Sequence, residues 1–268
     1  MMLRELHLFA GIGGGLLAGS LLGFDLVGAV EIDPWCQHVL RSRFGSEAVV
    51  GGDIAQFDAR PFQGVDLVAG GFPCEDISLA GRGAGLAGER SGLWFEMQRV
   101  VAEAEPAYVF VENSPALRTR GLDRILQGLA DLGFDAEWSD LRASDVGAPH
   151  IRRRLWLLGA HPDRYRREGI SPADLVAAWQ REPRRGDADR LRSHVAYPSG
   201  EGLPQWPRTE AEWAHAAAAG GSWWASEPAM GRVVDGFPGH MEQVRALGKA
   251  QVPFCAAHAF RKLMERFV

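Results

Sequence analysis

Lysine is nearly absent: of 29 basic residues in the 268-residue chain only Lys249 and Lys262 are lysines, and the other 27 are arginines. Net charge is only −5, which excludes a wholesale basic coat, so any anionic partner must be met by a local patch. Cysteine is scarce too. Cys36, Cys74 and Cys255 show no CxxC or His-rich spacing, which argues against a disulfide framework and a metal site and favours a reducing, intracellular setting. Long apolar runs are also missing. The longest uncharged stretch, Leu8 to Phe24, has 17 residues including six glycines and lacks a basic leader, so it fits neither a membrane span nor a secretion signal. What remains is 46% hydrophobic and 24% charged, enough for one large or two small lobes with a sizeable core, and not a disordered or fibrous chain. Glycine is in excess, at about 12% against a usual roughly 7%, and much of the surplus sits in two stretches.

Apolar runs at 6–9, 26–31, 65–69, 107–112 and 153–159, separated by helix-length segments, predict alternating strands and helices over residues 1–160. This is the pattern of an α/β fold with a mostly parallel, doubly wound sheet, whose ligands sit beyond the carboxyl ends of the strands. Over 161–228 the periodicity weakens and Arg, Pro, Gly and Trp dominate, with Trp179, Trp206, Trp213, Trp223 and Trp224. That stretch reads as a small separate lobe. Residues 151–215 hold 12 Arg against 9 acids, so the remainder of the chain carries −8. Residues 229–268 read as a C-terminal segment packing back on the first domain, ending in an amphipathic helix at about 253–266.

Five motifs fall at strand ends. The first strand runs into Phe9-Ala10-Gly11-Ile12-Gly13-Gly14, with Glu31 about 20 positions on, beside Ile32. Such a loop lets the backbone approach a nucleoside cofactor while the acid meets ribose hydroxyls, although a tight strand-helix turn reads the same way. Asp53-Ile54 adds an acceptor for an adenine amino group, or simply a cap. In Gly71-Phe72-Pro73-Cys74 a cysteine follows proline at a strand end and precedes a glycine-rich loop ending near Gly92-Leu93, which suits a nucleophile under a closing lid. Lone cysteines are more often buried filler. Glu112 ends an apolar strand, where a carboxyl can have a raised pKa and donate a proton, or can serve a structural pair. Arg152 and Arg154 alternate with Arg153 at the entrance to the last strand, as site residues or as a solvated edge.

In this order, and with Gly248-Lys249-Ala250-Gln251-Val252-Pro253 near the end, these segments resemble the DNA (cytosine-5) methyltransferases over nearly the whole chain except about 161–228. The resemblance implies a Rossmann-like S-adenosyl-methionine-dependent methyltransferase fold. It makes Cys74 the nucleophile at cytosine carbon 6, Glu112 the acid at ring nitrogen 3, and Arg154 and Arg152 anchors of the base. It implies a cofactor pocket of Phe9, Ala10, Gly11, Ile12, Gly13, Gly14, Glu31, Ile32, Asp53, Ile54, Pro73, Leu93, Lys249, Ala250 and Gln251. The substrate implied is double-stranded DNA whose target cytosine is flipped under a lid at about Asp76 to Gly92, with 161–228 as the target-recognition region. A monomeric, cytoplasmic enzyme of a bacterial or phage-infected cell, with no metal and no membrane partner, is expected.

Four positions depart from the family's pattern: Glu75 for Gln, Ser114 for Val, His150 for Gln and Lys249 for Asn. Lys249 has a physical consequence. A second cation about 5 Å from a sulfonium costs about 3 kcal/mol at an effective dielectric of about 20, and an added anion on the cofactor reverses the sign. Carboxymethyl transfer from carboxy-S-adenosyl-methionine is therefore the alternative to methyl transfer. An RNA cytosine-5 methyltransferase is a further alternative. A catalytically dead DNA-binding protein leaves the complete residue set unexplained, and a nicotinamide oxidoreductase leaves Cys74 unexplained.

Overall fold

The computed structural model describes residues 2–73, 92–148, 150–180 and 246–268. Seven strands form one sheet in the order β3-β2-β1-β4-β5-β7-β6. They are β1 (Arg4–Leu8), β2 (Asp25–Glu31), β3 (Val49–Gly51), β4 (Leu67–Gly70), β5 (Tyr108–Asn113), β6 (Asp135–Arg142) and β7 (Arg153–Ala160). The described helices are α1 (Gly14–Leu22), α2 (Pro34–Phe44), α3 (Leu93–Ala104), α4 (Leu117–Arg120), α5 (Leu122–Asp131), α6 (Pro162–Glu168), α7 (Pro172–Gln180) and α8 (Pro253–Met264).

The sheet is mostly parallel, as the alternation predicts. β1, β2, β3, β4 and β5 run together, and β7 is antiparallel to both β5 and β6. The five expected strands are present with ends shifted by one or two residues, and β3 and β6 are additional. β3 is only three residues long, and β6 is a sheet edge whose residues are all partly or fully exposed, so neither leaves an apolar run in the sequence. By contrast all six residues of β5 are buried, as in a strand covered on both faces.

Strand alternation sorts the core into two faces. Leu6, Leu8, Val109, Val111, Leu155 and Leu157 pack with Trp94 and Met97 of α3 and with Ile125 and Leu129 of α5. On the other face Tyr108, Phe110, Trp156 and Leu158 pack with Phe260 and Leu263 of α8. The Phe260 ring lies 5.1 Å from Phe110, 5.2 Å from Phe24 and 5.8 Å from Trp179. The last helix thus packs back on the sheet. Ile170 and Leu175, beside and within α7, join the same cluster, and the Tyr108 hydroxyl donates to the Ile170 carbonyl at 2.5 Å. Of the stretch expected to recognise the target, 161–180 belongs to this core and 181–228 lies outside the described residues.

The chain travels outward from β1 to β3, then returns to place β4 on the other side of β1. This reversal opens a crevice between the loops that follow β1 and β4. Both glycine-bearing motifs leave the sheet there.

Candidate active site

The loop after β1 is held from below. Ala10 N–H donates to the Val30 carbonyl at 3.1 Å, and Gly11 N–H donates to Glu31 Oε2 at 2.6 Å. The other Glu31 oxygen accepts from Asp33 N–H at 2.8 Å, and Asp33 in turn caps α2. Glu31 therefore braces the loop expected to meet the cofactor, and each carboxylate oxygen retains a lone pair for a hydroxyl. Gly13 has φ 92°, and a Cβ there would lie 2.5 Å from the Phe44 ring. A Cβ on Gly11 would meet nothing within 4 Å, so the loop has open space above it. Ile32, directly after β2, is 64% exposed.

Asp53 caps the short 3-10 turn Ile54–Gln56, its carboxylate accepting from Ala55 N–H at 3.0 Å. Sequence reasoning missed the residue that fixes this turn. Arg99 of α3 donates to the Ile54 carbonyl at 2.7 Å and the Phe57 carbonyl at 3.0 Å, while pairing with Glu96 and Glu103. Arg99 sits on the polar face of α3 with Glu96 and Glu103, so the helix pattern carried no signal for this role. Leu93 starts α3, half-buried against the core.

The loop after β4 descends through Gly71, Phe72 and Pro73 to Cys74, which lies outside the described residues together with all but Gly92 of the lid expected at about Asp76 to Gly92. Asn113 Nδ2 donates to the Phe72 carbonyl at 3.2 Å, tying that loop to the end of β5. Glu112, one residue earlier, is 8% exposed. In the antiparallel β5–β7 pairing Glu112 stands opposite Trp156, which puts Arg154 diagonally on the same face. Arg154 Nε meets Glu112 Oε1 at 2.8 Å. Burial pushes the Glu112 carboxyl above the usual carboxylate range, with Arg154 and Arg152 partly offsetting the rise.

Arg152 Nη1 donates to the Gly248 carbonyl at 2.8 Å, so the arginine pair also holds the late motif. Arg153 turns to the other side, where it and Arg118 share Asp140 Oδ2 at 2.5 and 3.1 Å. Beyond Gly248, Ala250 N–H closes onto Ala246 and Gln251 reaches the glycine loop, where a Cβ on Gly14 would strike the Gln251 carbonyl. Lys249 and His150 are exposed, and Ser114 N–H donates to Asn113 Oδ1 at 2.8 Å. The structure thus gathers the glycine loop, Glu31, Ile32, Asp53, Ile54, Pro73, Glu112, Arg152, Arg154, Ala250 and Gln251 at one end of the sheet. Among the described residues no acidic, histidine or cysteine cluster is arranged to hold a metal, and no helix is long and apolar enough to cross a membrane.

The space over Gly11, the braced Glu31 and the apolar Ile32 fit a nucleoside-bearing cofactor. Comparison with known proteins agrees. The family model described as C-5 cytosine-specific DNA methylase matches residues 3–185. The chain is 36% identical over 166 residues to the Type II methyltransferase M.CviJI of Paramecium bursaria Chlorella virus IL3A, covering 61% of this chain and 44% of that protein. It is 31% identical over 160 residues to the Type II methyltransferase M.HhaI of Haemophilus parahaemolyticus, covering 58% and 48%. The chain therefore spans about half the length of the relatives it matches. Among solved structures it is similar to a candidate DNA modification methyltransferase of an E. coli prophage, with TM-score 0.51, 26% identity and 60% and 47% coverage. The DNMT2 of Spodoptera frugiperda, at TM-score 0.51 and 21% identity over 59% of this chain and 50% of that one, shares the fold.

Proposed function

Because the chain belongs to the C-5 cytosine-specific DNA methylase family, we propose that it transfers a methyl group from S-adenosyl-methionine to carbon 5 of a cytosine in double-stranded DNA. The observation that carries this reading is the buried Glu112–Arg154 pair, set where Asn113 grips the carbonyl of Phe72 two residues before Cys74. Carbon 5 of cytosine is a poor nucleophile. The Cys74 thiolate adds to carbon 6, and Glu112 supplies the proton or hydrogen bond at ring nitrogen 3 that stabilises the resulting charge. The added electron density at carbon 5 makes that carbon nucleophilic. Bound S-adenosyl-methionine supplies an electrophilic methyl group, held by the glycine loop, Glu31, Ile32 and Asp53. Loss of the carbon 5 proton to a base then expels Cys74 and restores the aromatic ring. Arg154 keeps the Glu112 carboxyl directed, and Arg152 keeps the late motif closed on the loop. Carbon 6 is inaccessible in stacked DNA, so the base is flipped out, with 181–228 available for target recognition.

A second reading concerns the transferred group. Lys249 lies between Gly248, which Arg152 holds, and Gln251, which abuts the glycine loop. A lysine there suits the carboxylate of carboxy-S-adenosyl-methionine and would give 5-carboxymethylcytosine. The viral and bacterial relatives, named as Type II methyltransferases, support a modification enzyme of a bacterial or phage-infected cell, and its action as a monomer in the cytoplasm is part of the same proposal. The deciding experiment incubates the chain with duplex DNA or tRNA and each cofactor, then digests to nucleosides for mass spectrometry. We expect 5-methylcytosine in DNA. Product confined to tRNA moves the substrate to RNA, and 5-methylcytosine alone with both cofactors present removes the carboxymethyl reading.

A further inference from the structure

The rim beside the Glu112–Arg154 pair carries a second ionic arrangement that the chemistry above does not use. α4 follows the carboxyl end of β5, and β7 begins alongside that end, with Leu155 opposite Asn113. β6 ends there too, its Arg142 opposite Arg153. The Asp140 side chain on β6 is only 11% exposed. The two guanidiniums that share its Oδ2, those of Arg118 on α4 and Arg153 on β7, are 56% and 47% exposed. The acid lies beneath, and the two cations lie outermost.

Sharing one carboxylate has a consequence for charge. One acid neutralises one guanidinium, so a positive charge stays uncompensated, and two like charges that repel are drawn together. Exposed ion pairs contribute little to stability, so the fold gains little by holding them this close. What the arrangement supplies is a pair of guanidiniums fixed from below. Each spends one nitrogen on Asp140, and a guanidinium carries five N–H donors in a planar fork, so donors on both remain for a second anion. Such forks match the oxygens of a phosphodiester. Side chains pinned beforehand also lose less conformational freedom when the anion binds. We propose that Arg118 and Arg153, held together by Asp140, grip the phosphate backbone of the DNA strand that flanks the flipped cytosine.

The position suits that role. Arg154 Nη1 donates to the Arg153 carbonyl at 2.8 Å, so the stretch of chain that directs the base site also carries half of the phosphate grip. Successive residues of β7 divide the work, Arg154 turning to Glu112 and Arg153 to the other face at the rim. A base leaves the stack by rotating about its own backbone, which gives a fixed hold on the neighbouring phosphates a direct use. Arg142 adds a third basic side chain to the rim, where Asp145 accepts from the Arg142 backbone N–H. The chain as a whole carries −5, so a polyanion is met only where positive charge is local. Phosphate contacts set register without reading bases, so this grip is the same for every target sequence.

This proposal rests on the cytosine reading, and the experiment separates the two. Affinity of the full chain for duplex DNA is measured by fluorescence anisotropy across a salt series. Arg118→Gln and Arg153→Gln each remove one contact and leave Asp140 paired with the other arginine. The triple variant Arg118→Gln, Asp140→Asn, Arg153→Gln removes both contacts and strands no acid. Because it loses two positive charges and one negative, its net charge changes by the same single unit as in either arginine variant. Arg167→Gln on α6, beyond the far end of β7, is the charge-matched control. We expect the slope of log affinity against log salt to become shallower by about 1 in each single variant and by about 2 in the triple. KM for DNA should rise about tenfold in the triple, with S-adenosyl-methionine affinity unchanged. Arg167→Gln should match the wild type. Unchanged slopes overturn the grip, as does a change that follows net charge alone, with the triple equal to the singles or all of them equal to Arg167→Gln. A slope that shifts with tRNA and not with duplex DNA overturns it too. The single variants keep the test decisive if the triple fails to fold. If the wild-type chain modifies no cytosine, the function reading fails, and the salt slopes on duplex DNA still decide whether these arginines hold phosphate.

Discussion

The face of the sheet under α3 and α5 is apolar except for Asn113 at the end of β5, whereas the face under α1 and α8 holds three of the four buried polar or charged side chains among the described residues: Glu5, His7 and Glu112. Both faces carry large apolar clusters, with Trp94 buried on one and Trp156 on the other. The difference lies in what is tolerated between the apolar layers. On the α3 face burial does structural work alone, and the nearest ionic group, Arg99, holds a turn at the rim. On the α1 and α8 face the chain accepts the desolvated Glu112 carboxyl close to the crevice, where a raised pKa and a fixed orientation are of use.

The largest effect that sharpens this contrast is on turnover. Glu112→Gln keeps an acceptor for Arg154 and removes the titratable proton, so single-turnover methylation should slow by about 10²–10⁴-fold with little change in Tm. Cys74→Ala should abolish product. Wild-type turnover from Glu112→Gln would remove the chemistry from this face, and wild-type turnover from Cys74→Ala would remove the proposed nucleophile.

Next in size is the stability difference between neighbouring residues of β1. Leu6→Ala on the α3 side should cost about 2–5 kcal/mol in urea unfolding. Replacing Glu5 and His7 together by leucine should be neutral or stabilising, because the desolvation of the pair disappears with it. A double variant less stable than Leu6→Ala would show the pair to be a structural element.

A smaller effect compares helix glycines on the two faces. In a helix interior Gly→Ala ordinarily stabilises by up to about 1 kcal/mol. At Gly128 of α5 a Cβ would lie 2.9 Å from the Gln98 amide, the end of a flexible side chain that can move aside, so the usual gain should survive in part. At Gly15 the Cβ meets the His7 ring and the Gln251 amide together, so alanine should destabilise. Equal changes in Tm at the two sites would mean that the α1 face yields as easily as the other.

How much of this was legible in the sequence follows from the same physics. β5 and β7 leave continuous apolar runs because both of their faces are covered, and their ends were placed nearly correctly. β6 was invisible because an edge strand with the sequence DAEWSDLR carries no period-two burial, and the antiparallel direction of β7 is a property of chain path that no local pattern encodes. Glu112, Arg152 and Arg154 were legible as motif residues, and alternation correctly separated Arg153 from them. The buried Glu5–His7 pair was not, since two polar residues in an apolar run acquire meaning only when Gly19 is seen to make room for the carboxylate and Gly15 for the ring. Arg99 was missed for the same reason, its partners being carbonyls 42 and 45 residues away.

The smallest expected effect concerns pH. Burial raises the Glu112 carboxyl above its unfolded value, so the native state binds a proton more tightly than the unfolded chain does. For a group shifted in that direction, the contribution to stability is complete below the unfolded carboxylate pKa and is lost as pH rises through the folded pKa. Arg154, which favours the ionised form, limits the loss without reversing it. Wild-type stability should therefore decline across the window that begins near the ordinary carboxylate value and ends above the raised one. Glu112→Gln should remove that component of the slope while leaving the remaining acid and alkaline limbs in place. Tm measured against pH for the two proteins gives the comparison directly. Parallel curves would mean that Glu112 titrates alike in the folded and unfolded chain, and the α1 and α8 face would then hold its acid without perturbing it.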